Sequence, residues 1–96
     1  MRDWVVYIVR CSDGTLYTGV TNDLTKRVTK HNSGNGAKYT RPRLPIAVVV
    51  SVGGFTKSEA LKLEYQIKQL PRNQKVRHLE GYEDERGNIE KGHTSA

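Results

Sequence analysis

Ninety-six residues, 35% of them apolar and 27% charged, suffice for one globular domain with a modest core and are too few for two. No apolar run nears the roughly 20 residues that cross a bilayer and no secretory signal pattern is present, so no membrane partner is expected. The lone Cys11 excludes an internal disulfide and a cysteine-based zinc site, leaving the cytoplasm as the expected compartment, and a net charge of +6 favours an anionic partner.

The first apolar, β-branched stretch, WVVYIVRC, predicts a strand. Asp13-Gly14 is a hairpin signal, and LYTGV beyond it predicts the second strand. Two turns are compatible with this hairpin. A two-residue turn pairs residue 7 with 20 and puts Tyr7 and Tyr17 on opposite faces. A three-residue loop, Ser12-Asp13-Gly14 with Gly14 as the bulge, pairs 7 with 19 and 9 with 17 and puts both phenols on one face. Gly19 then lies opposite Tyr7, where a missing side chain would leave room for a phosphate or a water. Asn22 is the predicted N-cap of a helix over 23–32, which Gly34 would end in the left-handed conformation.

NSGNGAKYTRPRLP is a loop by composition, and the continuous run IAVVVSV predicts a third strand buried on both faces. Gly53-Gly54 reads as the turn into a second helix, opened by a Thr56/Glu59 capping box and closed by Pro71. A short third helix carrying Val76 and Leu79 fits residues 72–80. The domain is thus residues 1–80, and the polar residues 81–96 are predicted to form a disordered C-terminal tail. The order ββαβαα gives an α+β fold, a small and mainly antiparallel sheet with helices packed on it.

Some side chains are not explained by this fold alone. Leu24, Val28 and His31 share one face of the first helix and Arg27 lies about 60° off it. An Arg and a His therefore border the only apolar stripe this helix has. A buried guanidinium needs a partner or an anion, whereas at the stripe's edge both residues could reach solvent. In the second helix Ala60, Leu63, Ile67 and Leu70 form the core stripe and Glu64 falls among them. A carboxylate there pairs with a cation, Arg27 being one choice, or binds a metal. Charge is concentrated in the same region: residues 24–79 hold twelve Lys and Arg against Glu59 and Glu64, while 1–23 and 80–96 are net acidic. Such a segment suits a polyphosphate, because each neutralised phosphate releases counterions, and it also describes a solvated face.

These residues match a known pattern. Val6-Tyr7-Ile8 and Tyr17-Thr18-Gly19 resemble the paired tripeptides that name the GIY-YIG nucleases, at a similar spacing. Arg27-x-x-x-His31 looks like that family's first-helix motif, and Glu64 stands where its second helix carries a metal-binding glutamate. Asn32, the GAKYT loop from Gly36 to Thr40 and the run GFTKSEALKLE ending at Glu64 are similar to the small single-domain bacterial members, and to the nuclease domain of the structure-selective resolvase subunit. The resemblance spans residues 4 to about 77. It implies a three-stranded antiparallel sheet flanked by helices and one divalent ion, Mg²⁺ or Mn²⁺, held by Glu64. It further implies that Arg27 stabilises the phosphate's developing charge, and that Tyr7, Tyr17 and His31 position and deprotonate the attacking water, the general base being open among them. Val6 and Thr18 depart from the usual glycine and aliphatic residue without touching these roles. Asn73 is the only candidate for the asparagine that many members carry after the second helix.

The expected function is a divalent-metal-dependent endonuclease hydrolysing phosphodiester bonds in DNA, in repair or recombination structures. Lys26, Lys30, Lys38, Arg41, Arg43, Lys68, Arg72 and Lys75 are the expected nucleic-acid contacts. Two alternatives use the same surface: a nucleic-acid-binding domain with weak or lost catalysis, and a nuclease subunit whose protein partner supplies specificity. No helix resembles a groove-reading element, so sequence-specific recognition is not expected.

Overall fold

The computed structural model describes residues 2–86 and 89–90, with side chains through residue 82. Strands β1 (Trp4–Arg10) and β2 (Leu16–Thr21) form the predicted hairpin. The Cys11 N–H donates to the Thr15 carbonyl at 2.8 Å, leaving Ser12, Asp13 and Gly14 as the loop. Gly14 sits at φ +85°, a region that costs a side-chain-bearing residue free energy and glycine almost none. Asp13 closes the turn locally, its Oδ1 accepting the Thr15 N–H at 3.1 Å and the Thr15 hydroxyl at 2.6 Å. The register is therefore the three-residue one: Tyr7 faces Gly19 and Val9 faces Tyr17.

Helix α1 (Leu24–Asn32) is capped by Asp23, one residue beyond the predicted Asn22. Thr21 Oγ1 accepts the Asp23 N–H at 3.0 Å, which turns Asn22 into a corner, and Asp23 Oδ1 then accepts the Lys26 N–H at 3.1 Å. Gly34, at φ +88°, follows the helix end as expected.

Strand β3 (Ala47–Phe55) pairs antiparallel with β1, making β1 central in the order β2-β1-β3. The reading of Gly53-Gly54 as a turn does not hold, because the strand runs through both glycines. Trp4 pairs with Phe55 and Val6 with Val52, so β3 spends one extra residue there. That bulge is accommodated by Gly54 at φ +87°, and it delivers Phe55 to the core.

Helix α2 (Lys57–Lys68) opens on the predicted capping box, Thr56 Oγ1 accepting the Glu59 N–H at 3.2 Å and Glu59 Oε1 accepting the Thr56 N–H at 2.9 Å. Helix α3 (Arg72–Arg86) is longer than its composition suggests. Residues 81–86, predicted as the start of a tail, continue it, because Tyr82 packs edge-on against Phe55 and His78 with ring centroids at 5.9 Å. Ile89–Glu90 form β4, a two-residue rung opposite Val52 and Ser51 of β3. The rest of the predicted tail, 87–88 and 91–96, lies outside the described residues. Among the described residues no helix is long and apolar enough to cross a membrane.

The fold is thus α+β, a three-stranded antiparallel sheet with three helices, extended at one edge by β4. The alternation along β1 splits its core in two. Val6 and Ile8 pack with Val50, Val52 and Phe55 against Leu63 and Ile67 of α2 and Leu79 of α3. Tyr7 and Val9 point the other way, with Cys11 and Ile46, towards Leu24 and Val28 of α1. Tyr7, Tyr17 and His31 meet on this second face, at the β2 edge.

Candidate active site

Tyr7 is fully buried in the middle of the central strand. A phenol there needs space on the neighbouring strand and a partner for its hydroxyl. Gly19 supplies the space: a Cβ at that position would come within 2.5 Å of the Tyr7 Cζ. The gap expected to admit a phosphate or a water is occupied by Tyr7 itself. His31 supplies the partner, its Nε2 lying 3.1 Å from the Tyr7 hydroxyl oxygen.

The second ring nitrogen of His31 fixes the direction of that bond. Nδ1 lies 2.8 Å from Thr40 Oγ1, and the Thr40 hydroxyl donates its one proton to the Ala37 carbonyl at 3.0 Å. With that proton on Ala37, Thr40 accepts from His31 and Nδ1 carries the hydrogen of the neutral ring. Nε2 is left as an acceptor and takes the Tyr7 hydroxyl proton in its hydrogen bond. Burial, and secondarily the Arg27 charge, lower the His31 pKa, which keeps the ring neutral. Gly36 allows this close fit, since a Cβ there would lie 2.8 Å from both Cα and Cγ of His31. Asn32 anchors the far end of the same loop, its Oδ1 accepting the Ile46 N–H at 2.8 Å and its Nδ2 donating to the Ile46 carbonyl at 3.3 Å.

Tyr17 joins this pair, its ring centroid 6.5 Å from Tyr7 and 5.5 Å from His31. Tyr39 stacks on it at 5.9 Å, and the Lys68 ammonium lies 5.6 Å from the centre of its ring. Arg27 and Glu64 reach the same place from α1 and α2, and both act on the Tyr7 phenol. Burial pushes its pKa well above the usual tyrosine range, Tyr17 and Glu64 add to the rise, and Arg27 opposes it by charge and hydrogen bonding. The five side chains singled out from the sequence therefore converge.

The cation beside Glu64 is Lys68, at 3.3 Å and one helical turn on, and among the described residues no ion pair joins Glu64 to Arg27. With Lys68 half exposed, such a pair is worth roughly 0.5 kcal/mol, so an incoming ion can displace it. Among the described residues no group of three or more His, Cys, Asp or Glu is placed to chelate a metal. A single, partly open carboxylate fits a hard divalent ion that keeps most of its water, as Mg²⁺ or Mn²⁺ does.

The eight expected nucleic-acid contacts divide evenly. Lys26, Lys30, Lys38 and Arg41 are exposed, and among the described residues none of them forms an ion pair. Lys26 and Lys30 flank Arg27 around a hollow of about 170 Å³. The other four are tied within the chain. Besides Lys68, Arg43 pairs with Asp13 at 3.0 Å, donates to the Tyr39 carbonyl at 2.6 Å and covers the Tyr39 ring at 4.3 Å. Arg72 donates to the Gly14 carbonyl at 2.7 Å, and Lys75 donates to the Ile67 carbonyl at 2.9 Å, closing the end of α2. Asn73 stands apart from the phenols, in a hollow of about 610 Å³ with Arg10, Leu16 and Arg72.

One residue of the cluster, Thr40, has no role assigned from the sequence, and another, Lys68, has a different one. A buried histidine needs a partner on each nitrogen, so a hydroxyl near the helix end was legible in principle, but nothing local selects Thr40. Lys68 is expected to be a phosphate contact, yet its position four residues beyond Glu64 is the spacing of the helical ion pair it forms.

Hairpin, first helix and second helix each bring one or two polar side chains, Tyr7 and Tyr17, Arg27 and His31, and Glu64, to one sheet edge of an α+β domain. Residues 3–77 match the family described as the GIY-YIG catalytic domain, and the chain belongs to that family. A UPF0213 protein of Staphylococcus epidermidis is 53% identical over 75 residues, 78% of this chain and 92% of its own length. One from Staphylococcus aureus is 57% identical over 77 residues, 80% and 94% of the two chains. The solution NMR structure of the protein EF2693 from E. faecalis is similar with a TM-score of 0.58 and 38% identity, covering 85% of this chain and 91% of that one. That of a UPF0213 protein from Bacillus halodurans has a TM-score of 0.50 and 44% identity, over 80% and 82%.

Proposed function

We propose that this chain is a divalent-metal-dependent endonuclease that hydrolyses phosphodiester bonds in DNA, with Tyr7, Tyr17, Arg27 and His31 as catalytic residues and Glu64 as the metal ligand. The observation that carries this reading is the hydrogen-bonded chain from Tyr7 through His31 to Thr40, beside one guanidinium and one carboxylate. Such a chain supports proton transfer from Tyr7 to His31.

Tyr7 is closed to solvent in the free protein; with the attacking water admitted beside it on substrate binding, the water gives its proton to the Tyr7 oxygen while the Tyr7 hydroxyl proton moves to His31 Nε2. Tyr7 ends neutral, the water becomes hydroxide, and His31 becomes an imidazolium whose Nδ1–H is already held by Thr40. The lowered His31 pKa keeps the acceptor available at neutral pH. Tyr17, packed against both rings, orients the water. Arg27 hydrogen-bonds a non-bridging phosphate oxygen as charge develops on it, in surroundings drier than bulk solvent. A divalent ion held by Glu64 would supply the Lewis acidity that neutralises the leaving oxygen. The basic surface supports a DNA substrate, and the reading extends to branched or nicked forms met in repair and recombination. Target choice would rest on DNA shape or on a protein partner, and the cytoplasm is the compartment that fits the single cysteine.

The test is incubation of wild type, Glu64→Ala and Arg27→Ala with linear, flapped and branched DNAs, with Mg²⁺, with Mn²⁺ and with EDTA. Cleavage should require the metal and fall by about 100-fold or more in either variant. Cleavage that survives EDTA, or a fully active Glu64→Ala, would overturn the reading. Binding without cleavage by the wild type would leave a nucleic-acid-binding domain in its place.

A further inference from the structure

Two hollows meet at Leu16. One, of about 360 Å³, opens on Tyr17, Tyr39, Lys68 and Lys75 beside the catalytic cluster. The other, of about 610 Å³, is lined by Arg10, Arg72 and Asn73 over an apolar floor of Leu16, Val49 and Val76. Leu16 and Tyr17 are successive residues of β2, the edge strand, so their side chains leave opposite faces of the sheet. The first hollow takes in Tyr17 and Tyr39 on one face and Leu16, Thr18 and Lys75 of α3 on the other, so the surface turns round the sheet edge there and continues into the second hollow on the α3 face. Among the described residues four cations line it, and no acidic side chain does.

From this we infer that single-stranded DNA runs from the catalytic cluster over Leu16 into the Arg10–Arg72 hollow. The inference rests on the nuclease reading and adds the form of the substrate on one side of the cut. A duplex presents phosphates and stays straight over many base pairs, so it cannot follow a sheet edge within one residue's width. A single strand can turn there, and its unstacked bases need what the surface offers: cations for phosphates, with aromatic and apolar ground between them. Arg10 is exposed opposite Leu16, and among the described residues it forms no ion pair. Arg72 uses one N–H on the Gly14 carbonyl and keeps the rest of its guanidinium for a phosphate. Asn73 is exposed at the same hollow, with an amide that can meet a base edge.

The experiment measures binding by fluorescence anisotropy in EDTA, using Glu64→Ala to prevent cleavage. The probes are a blunt duplex and the same duplex with a 5′ or a 3′ single-stranded extension. One polarity of extension should tighten binding by about tenfold, from one or two phosphate and stacking contacts. Adding Arg10→Glu should erase that gain. Equal affinity for blunt and extended probes would overturn the inference, as would a loss in Arg10→Glu that is the same for every probe. Arg10→Gln, with a thermal unfolding check, guards against a folding defect. Independently, titration with a short single strand should shift the backbone amide signals of Leu16, Val49 and Asn73, and unmoved signals there would also overturn it. A wild type that cuts nothing would refute the nuclease reading, whereas a wild type that cuts but ignores the extension would refute this inference alone.

Discussion

Thr40→Val isolates the group that holds His31 in the Nδ1–H tautomer on which the proposed proton path depends. The replacement keeps the shape of a fully buried side chain and removes only the hydroxyl. The Ala37 carbonyl is not orphaned, because it still accepts the backbone N–H groups of Thr40 at 3.2 Å and Arg41 at 3.1 Å. The loss therefore falls on His31 Nδ1–H, a donor left without an acceptor in a dry site, which costs about 1–3 kcal/mol. The ring can escape by moving its proton to Nε2, but Nε2 then can no longer accept from Tyr7. Urea unfolding and the ¹⁵N shifts of the His31 ring read the two responses. Either stability falls by that amount or the tautomer switches. In both cases turnover should fall by about 100-fold, the usual share of a positioned base, with DNA affinity unchanged. Thr40→Ser should restore tautomer and turnover. A Thr40→Val protein with the wild-type tautomer, stability and rate would refute the proton path.

Gly19→Ala would place a Cβ 2.5 Å from the Tyr7 Cζ and 3.0 Å from Cε2. Because Tyr7 is buried and bonded to His31, it has little room to retreat, and overpacking should cost about 1–3 kcal/mol of stability. An unshifted urea midpoint would show that the phenol does not rest on Gly19. The depressed His31 pKa predicts a pH effect of definite sign. Between its lowered folded value and the ordinary 6.5, the unfolded chain binds more protons than the folded one. The contribution of His31 is therefore complete above pH 6.5 and is lost as pH falls towards the lowered value. Asp13, held down by its Thr15 hydrogen bonds, acts below 3.8 and leaves this window clear. Urea midpoints should decline from pH 7.5 to pH 5 and decline less in His31→Gln. Stability that rises on acidification would contradict the burial of a neutral ring.

The parts of the site that were legible in the sequence are those fixed by local spacing. Arg27 and His31 fall beside the stripe of α1, and Glu64 falls within that of α2, at helical periods that survive folding unchanged. What stayed illegible was decided by neighbours far along the chain. Tyr82 belongs to the core because Phe55 meets it, so a polar segment read as a tail is helix as far as Arg86. Gly53-Gly54 reads as a turn in isolation and becomes a bulge only because β1 offers Trp4 to Phe55. Gly19 was seen to make room, but the occupant, Tyr7, depends on the β2 edge and on His31 above it. One local feature nonetheless governed the whole site. With Gly14 in the left-handed region the hairpin loop has three residues, and Tyr17 faces the same side as Tyr7. A loop one residue shorter would turn Tyr17 to the side of α2 and α3, leaving His31 with one phenol and the hollow at Tyr39 with no aromatic partner. The cluster of Tyr7, Tyr17 and His31 thus depends on the conformation of a glycine outside it.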